Sequence, residues 1–177
     1  MEITAKGVFD YDSIKALSYV TLYKKKNPRK AFVWMNIWCI GLALLILTEM
    51  ILFGPDRQSI MLIIVDAMLV LLNFYLYFWF AKIQYNALHL MKNTVNTYHF
   101  HENRIKVFSA GAQYRGEAEL QYSMIPKVME TQKYLFIFQS KNQAYVVDKT
   151  TIVNGSMEDI RTKLHQSSKA KYIVCRY

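Results

Sequence analysis

The sequence has few of the residues that form turns, disulfides or metal sites in small proteins. It contains six glycines, three prolines and two cysteines among 177 residues. The glycines are scattered, so no phosphate-cradling loop is present, and the sequence contains neither HExxH nor a nucleophile elbow. Cys39 and Cys175 lie in unlike settings, which argues against a disulfide framework and a cysteine metal site. We therefore expect no enzyme activity, no cofactor and no metal site.

Charged side chains are also scarce between residues 31 and 81, which hold one of the 22 Lys and Arg residues and three of the 13 acids. This block contains two apolar runs, 31–53 and 60–81, and each reaches the roughly 20 helical residues that cross a bilayer. Gly54 and Pro55 turn the chain between them. The sequence predicts a transmembrane hairpin, because two adjacent runs of this length argue against core helices of a soluble protein. The polar start of the chain predicts no cleaved signal peptide.

Basic residues gather outside the two ends of the predicted hairpin. They are Lys24, Lys25, Lys26, Arg29, Lys30, Lys82 and Lys92. The connecting loop contributes only Arg57, opposite Asp56. Because Lys and Arg favour the cytoplasmic side, we expect a multi-pass protein of the cell membrane with both termini in the cytoplasm. The net charge of +9 then suits anionic membrane lipids, and no recognition motif indicates nucleic acid.

Four polar residues interrupt the apolar runs. An ionised carboxylate in hydrocarbon costs at least about 2.5 kcal/mol, so Glu49 and Asp66 need an explanation. We expect them at similar depths in the outer half of the membrane, where they share a proton, reach outward or contact a partner. A proton or ion path completed by oligomerisation is the functional alternative. Asn36 and Asn73 are expected to bond across helices or between subunits.

The remaining segments are predicted to lie in the cytoplasm. Residues 1–30 form an N-terminal segment, with a short extended stretch from Ile3 to Phe9 and a short helix that begins near Asp12. The second membrane helix continues past the bilayer, so that 31–93 comprise the hairpin and its extension. A β-rich domain follows over 94–166, and 167–177 form a C-terminal tail.

Six runs of period-two alternation predict the strands of this domain. They are 95–101, 104–109, 113–122, 127–131, 134–139 and 144–148. Short turns such as Ser140-Lys141-Asn142 separate several of them, so antiparallel hairpins are expected. Ser156 and Asp159 resemble a capping box that begins one amphipathic helix. These parts predict an α+β fold, a small antiparallel open barrel or bent sheet closed by one C-terminal helix.

A basic face is the candidate binding surface of this domain. Arg104, Lys106 and Arg115 project from the polar side of neighbouring strands, and Lys92 is close in sequence. In one interpretation these residues contact acidic lipid headgroups or a partner, each contributing roughly 1 kcal/mol near a membrane surface. In the other they form an ordinary solubilising face.

Four stretches carry a family pattern. They are Phe9-Asp10-Tyr11-Asp12, TYHFHENRIKVFS, YSMIPKVMETQKYLFIF and VVDKTTIVNGSMEDIRTKL. Together with the helix pair, they resemble the YcxB-like family of bacterial membrane proteins, although Tyr122 stands where the family usually has Trp and Asp148-Lys149 where Pro-Lys is common. The resemblance implies a pleckstrin-homology-like fold for the C-terminal domain, and it implies no catalytic residue.

These features predict an integral membrane protein that tethers a pleckstrin-homology-like module to the cytoplasmic membrane face. There it binds a protein, a peptide or the lipid surface. The alternative is an oligomeric transport or channel component that uses Glu49 and Asp66. A further rival is an enzyme whose noncontiguous site includes His99 and His101. Homo-oligomerisation through the helices stays open, and no small-xxx-small pair argues for it.

Overall fold

A computed structural model describes residues 2–23, 27–112, 115–140, 143–167 and 170–175. Four parts of the sequence predictions lie outside the described residues. They are the basic cluster Lys24–Lys26, the first two residues of the run 113–122, Lys141-Asn142 of a predicted turn, and residues 168–169 and 176–177 of the expected tail. The described residues form helices and one sheet, in agreement with the α+β prediction.

Five α-helices and eight strands follow one another along the described chain. In order they are β1 (Ile3–Val8), α1 (Tyr11–Tyr23), α2 (Pro28–Phe53), α3 (Arg57–Phe74), a π-helical turn (Tyr75–Trp79), α4 (Phe80–Ala87), β2 (Val95–Phe100), β3 (Arg104–Ala110), β4 (Arg115–Gln121), a 3-10 turn (Tyr122–Met124), β5 (Lys127–Glu130), β6 (Tyr134–Phe138), β7 (Ala144–Val153), α5 (Met157–Ser167) and β8 (Lys171–Val174).

Two helical segments are long and apolar enough to cross a membrane. The first is α2, with 26 residues, and the second runs from α3 through the π-helical turn to the end of α4, with 31 residues. Their mean hydropathies are 2.1 and 2.2. Only 11% and 17% of their most apolar windows are buried within the chain, whereas the core helix of a soluble protein is mostly buried.

Local sequence explains where these helices begin and end. The Asn27 side chain accepts two backbone N–H groups of the first turn of α2, and Pro28 occupies the first helical position. Gly54 ends the helix with a φ of 88°, which favours glycine. Asp56 then caps α3 by accepting the backbone N–H of Ser59 at 2.8 Å.

β1 lies in the middle of the sheet, whose strand order is β4-β3-β2-β1-β7-β6-β5-β8. All neighbouring strands are antiparallel except β5 and β8, which run parallel. All six predicted strands are present. The sheet also extends beyond the predicted domain 94–166 on both sides, because β1 comes from the N-terminal segment and β8 from the expected tail.

The sheet is covered on both faces. Ile160 and Leu164 of α5 are buried on one face against a core that includes Tyr98 and Tyr122. On the other face, Val20 of α1 is buried in a second core on β5, β6, β7 and β8. The sheet is open, with β4 and β8 as its edges, and its likeness to a pleckstrin-homology domain stays a prediction.

Candidate functional site

The predicted basic residues do not form one cluster. Arg104 begins β3, and Arg115 begins β4 opposite Ala110 at the far end of β3. A separation of six residues along a strand corresponds to about 20 Å. Arg104 is also neutralised locally, because its guanidinium forms an ion pair with Glu119 at 2.8 Å.

The other two predicted basic residues, Lys106 and Lys92, lie in different surroundings. Lys106 lies between the two arginines, opposite Glu119 on β4. The ammonium of Lys92 faces α4, where it donates to the Asn86 side chain at 3.2 Å and lies 4.8 Å from the ring centroid of Tyr85. The four basic residues therefore lie apart on a mixed polar face, and their contact with lipid or a partner stays a prediction.

The register of the hairpin separates Glu49 from Asp66. Asn73 donates to the backbone carbonyl of Phe32 at 3.5 Å, which sets the antiparallel pairing of the two helices. In this register Asp66 lies beside the thiol of Cys39. Glu49 is ten residues further along α2, which is about 15 Å along the axis. The expectation of similar depths is wrong.

The two carboxylates also face different surroundings. Glu49 is exposed, and Asp66 is buried between the helices, where its Oδ1 atom has no hydrogen-bond partner among the described residues. The depth prediction failed because α3 begins at Arg57, before the predicted run 60–81, and because side-chain packing sets the register of the two helices. Asn73 bonds across the helices as predicted, whereas Asn36 instead donates to Phe32 within its own helix at 2.8 Å.

The strand histidines lie beside one acidic residue. The Nδ1 atom of His99 is 2.7 Å from a carboxylate oxygen of Glu2, and the Nε2 atom of His101 is 3.6 Å from the same oxygen. Within the described ranges, no group of three or more His, Cys, Asp or Glu side chains is arranged to hold a metal ion. These contacts are polar pairs between partly exposed side chains.

Glu130 is a buried carboxylate at the end of β5 with partners from three other elements. Lys149 of β7 donates to it at 2.8 Å. Arg161 of α5 donates to both oxygens, at 2.6 and 2.9 Å, and the Tyr172 hydroxyl of β8 donates at 2.6 Å. Glu158 also forms an ion pair with Arg161. The network fastens α5 and β8 to the centre of the domain.

Two opposed effects act on the pKa of Glu130. Burial raises the pKa, but the hydrogen bonds from Arg161, Lys149 and Tyr172 outweigh burial and lower it to about 2. The carboxylate therefore stays ionised and saturated with donors. It leaves no oxygen to bind a substrate, so its role is structural.

A cavity of about 400 Å³ lies where the open end of the sheet meets α1 and the chain after α4. We call it the junction cavity. Its apolar wall comes from Phe9 before α1, from Leu17 of α1, and from Leu88 and Met91 after α4. The opposite wall is formed by small residues of β3 and β4, among them Ala118. α5 covers the other end of this face of the sheet, so the junction cavity is at the end nearer the hairpin.

The floor of the junction cavity carries a chain of buried polar groups. A Cβ at Gly7 would lie 1.7 Å from the carbonyl oxygen of Val146, so only glycine permits this approach of β1 to β7. The Val146 carbonyl accepts the Tyr98 hydroxyl at 2.8 Å, and that hydroxyl accepts the Asn96 amide at 3.3 Å. Burial raises the pKa of Tyr98, so its hydroxyl keeps the proton that it donates.

Two buried polar atoms at this floor have no partner among the residues that the structure describes. They are Oδ1 of Asn96 and Oγ1 of Thr94. Both residues are nearly fully buried, with exposed fractions of 2% and 1%. Because buried polar groups in native proteins are almost always paired, these two enclosed atoms need a partner that the described residues do not supply.

α1 joins the sheet to the hairpin next to this cavity. Its Tyr19 ring stacks on Tyr77 of the π-helical turn at 5.6 Å, and the Tyr19 hydroxyl donates to the Tyr77 carbonyl at 3.2 Å. On its other side Tyr77 stacks on Phe32 of α2 at 4.4 Å. The Ser18 hydroxyl also donates to Gln84 of α4 at 2.6 Å. One short helix therefore contacts the sheet, the hairpin and its extension.

Sequence reasoning did not select Glu130, Thr94 or Asn96. A signal exists for Glu130, because an acid that follows buried Val128 and Met129 within a short strand requires cationic partners. Asn96 alternates with Tyr98 in β2, which places an amide on the buried face. Such patterns indicate a buried polar group but not its partners.

Comparison with protein families gives a match to part of the chain. The family model described as YcxB-like protein matches residues 100–164, which run from the end of β2 into α5. The predicted resemblance is confirmed over this range, which includes Glu130 and Arg161 of the buried network. No curated protein and no solved structure matches the chain.

Proposed function

We propose that this chain, YcxB-like over residues 100–164, is a membrane-anchored binding module. In this proposal α2 and α3 cross the cell membrane, and the sheet lies on the cytoplasmic face together with both termini. The domain binds a ligand or partner there, and the hairpin keeps the bound species at the membrane. The function is binding and placement instead of catalysis.

The way in which the hairpin joins the sheet carries the proposal. The hairpin is inserted between β1 and β2, which are neighbouring strands at the centre of the sheet. Val20 of α1 is buried against the sheet, and Tyr19 of the same helix stacks on Tyr77. Two chain connections and one packed helix thus hold the domain against one end of the hairpin.

Charge supports the proposed orientation. Arg29, Lys30 and Lys82 flank the hairpin at the end that carries the domain, and Arg57 lies beside Asp56 at the opposite end. Basic residues are enriched on the cytoplasmic side of membrane helices, which favours a cytoplasmic domain.

Cysteine labelling in intact cells tests the proposal. In a chain carrying Cys39→Ala and Cys175→Ala, Gln58→Cys probes the hairpin loop and Lys171→Cys probes the sheet. We expect a membrane-impermeant maleimide to label position 58 in intact cells and position 171 only after permeabilisation. Labelling of both positions only after permeabilisation contradicts a membrane-crossing hairpin.

An oligomeric transport component is the second candidate, and Asp66 is the observation that favours it. Its carboxylate is buried between two apolar helices and has an Oδ1 atom without a partner among the described residues. Two helices enclose no path, so this function requires several chains. Proton flux into liposomes that contain the full chain, abolished by Asp66→Asn, would favour transport over the binding module.

A further inference from the structure

We propose that the junction cavity binds an amphipathic molecule without negative charge, whose polar head donates an O–H or N–H hydrogen bond. This inference deepens the proposed function, on which it rests for its membrane setting, by giving the binding module a site and a class of ligand. It is argued from the polar floor, the electrostatics and the walls of the cavity.

The orientation of Asn96 specifies a donor in the ligand. The Tyr98 hydroxyl gives its proton to the Val146 carbonyl, so toward Asn96 it acts as an acceptor. That arrangement directs the Asn96 NH₂ group to Tyr98 and leaves Oδ1 as a buried acceptor. A hydroxyl or an N–H group satisfies this acceptor, whereas a carbonyl or an ether oxygen does not.

Thr94 provides a second contact for the same head group. Thr94 and Asn96 are two residues apart at the start of β2, and both are buried. The position of Thr94 is fixed on both sides, because its carbonyl accepts the backbone N–H of Phe9 at 3.0 Å and its backbone N–H donates to Met91 at 3.1 Å. The Thr94 hydroxyl both donates and accepts, so one ligand hydroxyl can bond with both side chains.

The electrostatics of the cavity exclude an anionic head group. Among the described lining residues the ionisable side chains are Glu117 and Tyr145, and no cation is present to neutralise a buried carboxylate or phosphate. Burial of an unpaired charge is unfavourable by several kcal/mol. An alcohol or an uncharged amide avoids this cost.

The walls select the apolar part of the ligand. Ile14 and Leu17 of α1 and Leu88 and Met91 after α4 present hydrocarbon to the cavity. Its volume of about 400 Å³ falls within the range of small-molecule sites, about 300–1,000 Å³. The ligand therefore has a short alkyl or similar apolar body, drawn either from the membrane, as a monoacylglycerol, or from solution, as a small alcohol.

Photolabelling of the full chain in nanodiscs provides the test. The probe is 1-decanol with a mid-chain diazirine, and labelled positions are mapped by mass spectrometry. We expect labels at the cavity walls that 1-decanol removes, while decane and decanoate compete at least tenfold more weakly. Monodecanoylglycerol added to the nanodisc lipid and 1-hexanol added to the buffer distinguish a membrane source from a soluble one, and competition by either supports the site.

Matched variants connect the label to the cavity. Thr94→Val keeps the side-chain shape and removes the hydroxyl, which should weaken decanol competition about three- to tenfold. Thr97→Val makes the same change on the other face of β2 and should have no effect. Ala118→Phe fills the cavity and should abolish labelling of its walls.

Labels confined to the hairpin, equal competition by decane, or wall labelling that survives Ala118→Phe would overturn the inference. The maleimide pattern at positions 58 and 171 should be unchanged in these variants. A failed ligand test with a correct labelling pattern therefore removes the cavity proposal and leaves the membrane anchor.

Discussion

Glu130 is the one charged side chain among the buried residues of the described strands. It is 2% exposed, and its carboxylate receives donors from β7, α5 and β8. Burying a charge is tolerated only when several donors replace water, and here they do. The residue therefore holds together three elements that are distant in sequence from β5.

Replacing Glu130 by Gln should lower the free energy of unfolding by about 3 kcal/mol, because Lys149 and Arg161 then lose their shared anion. The exposed pair of Arg104 and Glu119 supplies a matched control, since Glu119→Gln should cost less than about 1 kcal/mol. Urea unfolding followed by circular dichroism measures both. Equal effects of the two substitutions would contradict the central role of Glu130.

The same residue predicts how stability depends on pH. The pKa of Glu130 is lowered from its ordinary value of 4.5 to about 2, so the unfolded chain takes up a proton more readily than the folded chain. Its contribution is present in full above about pH 4.5 and is lost as the pH falls toward 2. We expect the difference in unfolding free energy between the native chain and Glu130→Gln to shrink from pH 6 to pH 3. A constant difference would rule out this linkage.

At the scale of elements, the six strands after Thr94 were predictable, the clearest of them from the alternation of apolar and polar residues. Ile3 to Phe9 was predicted as a short extended stretch, but its place at the centre of the sheet was not, and β8 was expected to belong to the tail. Both strands pair with strands far away in the sequence, which a local pattern cannot report. The helices of the hairpin were predictable from apolar length, but their register was not, because side-chain packing sets it.

The candidate site was predictable only in part. Antiparallel pairing places Arg104 and Arg115 at opposite ends of two strands, a separation that alternation alone does not report, and their role as a binding surface stays a prediction. The junction cavity depends on contacts between α1, β2 and β7, so its lining cannot be inferred from any one segment. Asn96 within an alternating apolar strand was the available signal.

The central position of β1 predicts that residues 94–177 alone do not fold. Removing β1 leaves β2 and β7 without their shared neighbour and exposes the core around Tyr98. A cooperative thermal transition should be absent from this fragment. Supplying residues 2–23 through a Gly/Ser linker should restore it, because β1 and α1 then return to the sheet. A stable fold of 94–177 on its own would show that β1 is dispensable.

At the scale of the whole molecule, the hairpin and the sheet are two modules joined through α1. α2 and α3 pack on each other, and the sheet has two cores of its own. α1 and α4 lie between the hairpin and the sheet. The aromatic stack of Tyr19, Tyr77 and Phe32 is the contact that connects α1 with both membrane-length helices. The domain therefore does not need the hairpin to complete its core.

This modularity predicts a soluble form of the protein. A chain that joins residues 2–23 to 80–175 through a Gly/Ser linker keeps β1, α1, α4 and the complete sheet, and it omits most of the exposed apolar surface of the hairpin. We expect it to be monomeric without detergent and to unfold cooperatively. Because Leu88, Met91 and Thr94 are retained, it should also bind 1-decanol, and Ala118→Phe should prevent binding. Size-exclusion chromatography and thermal unfolding measure the first two properties, and decanol photolabelling measures the third.

Two outcomes of this experiment would contradict the modular arrangement. A soluble chain that is folded but lacks the decanol site would show that the hairpin itself shapes the junction cavity. An unfolded chain would show that the two modules form one cooperative unit.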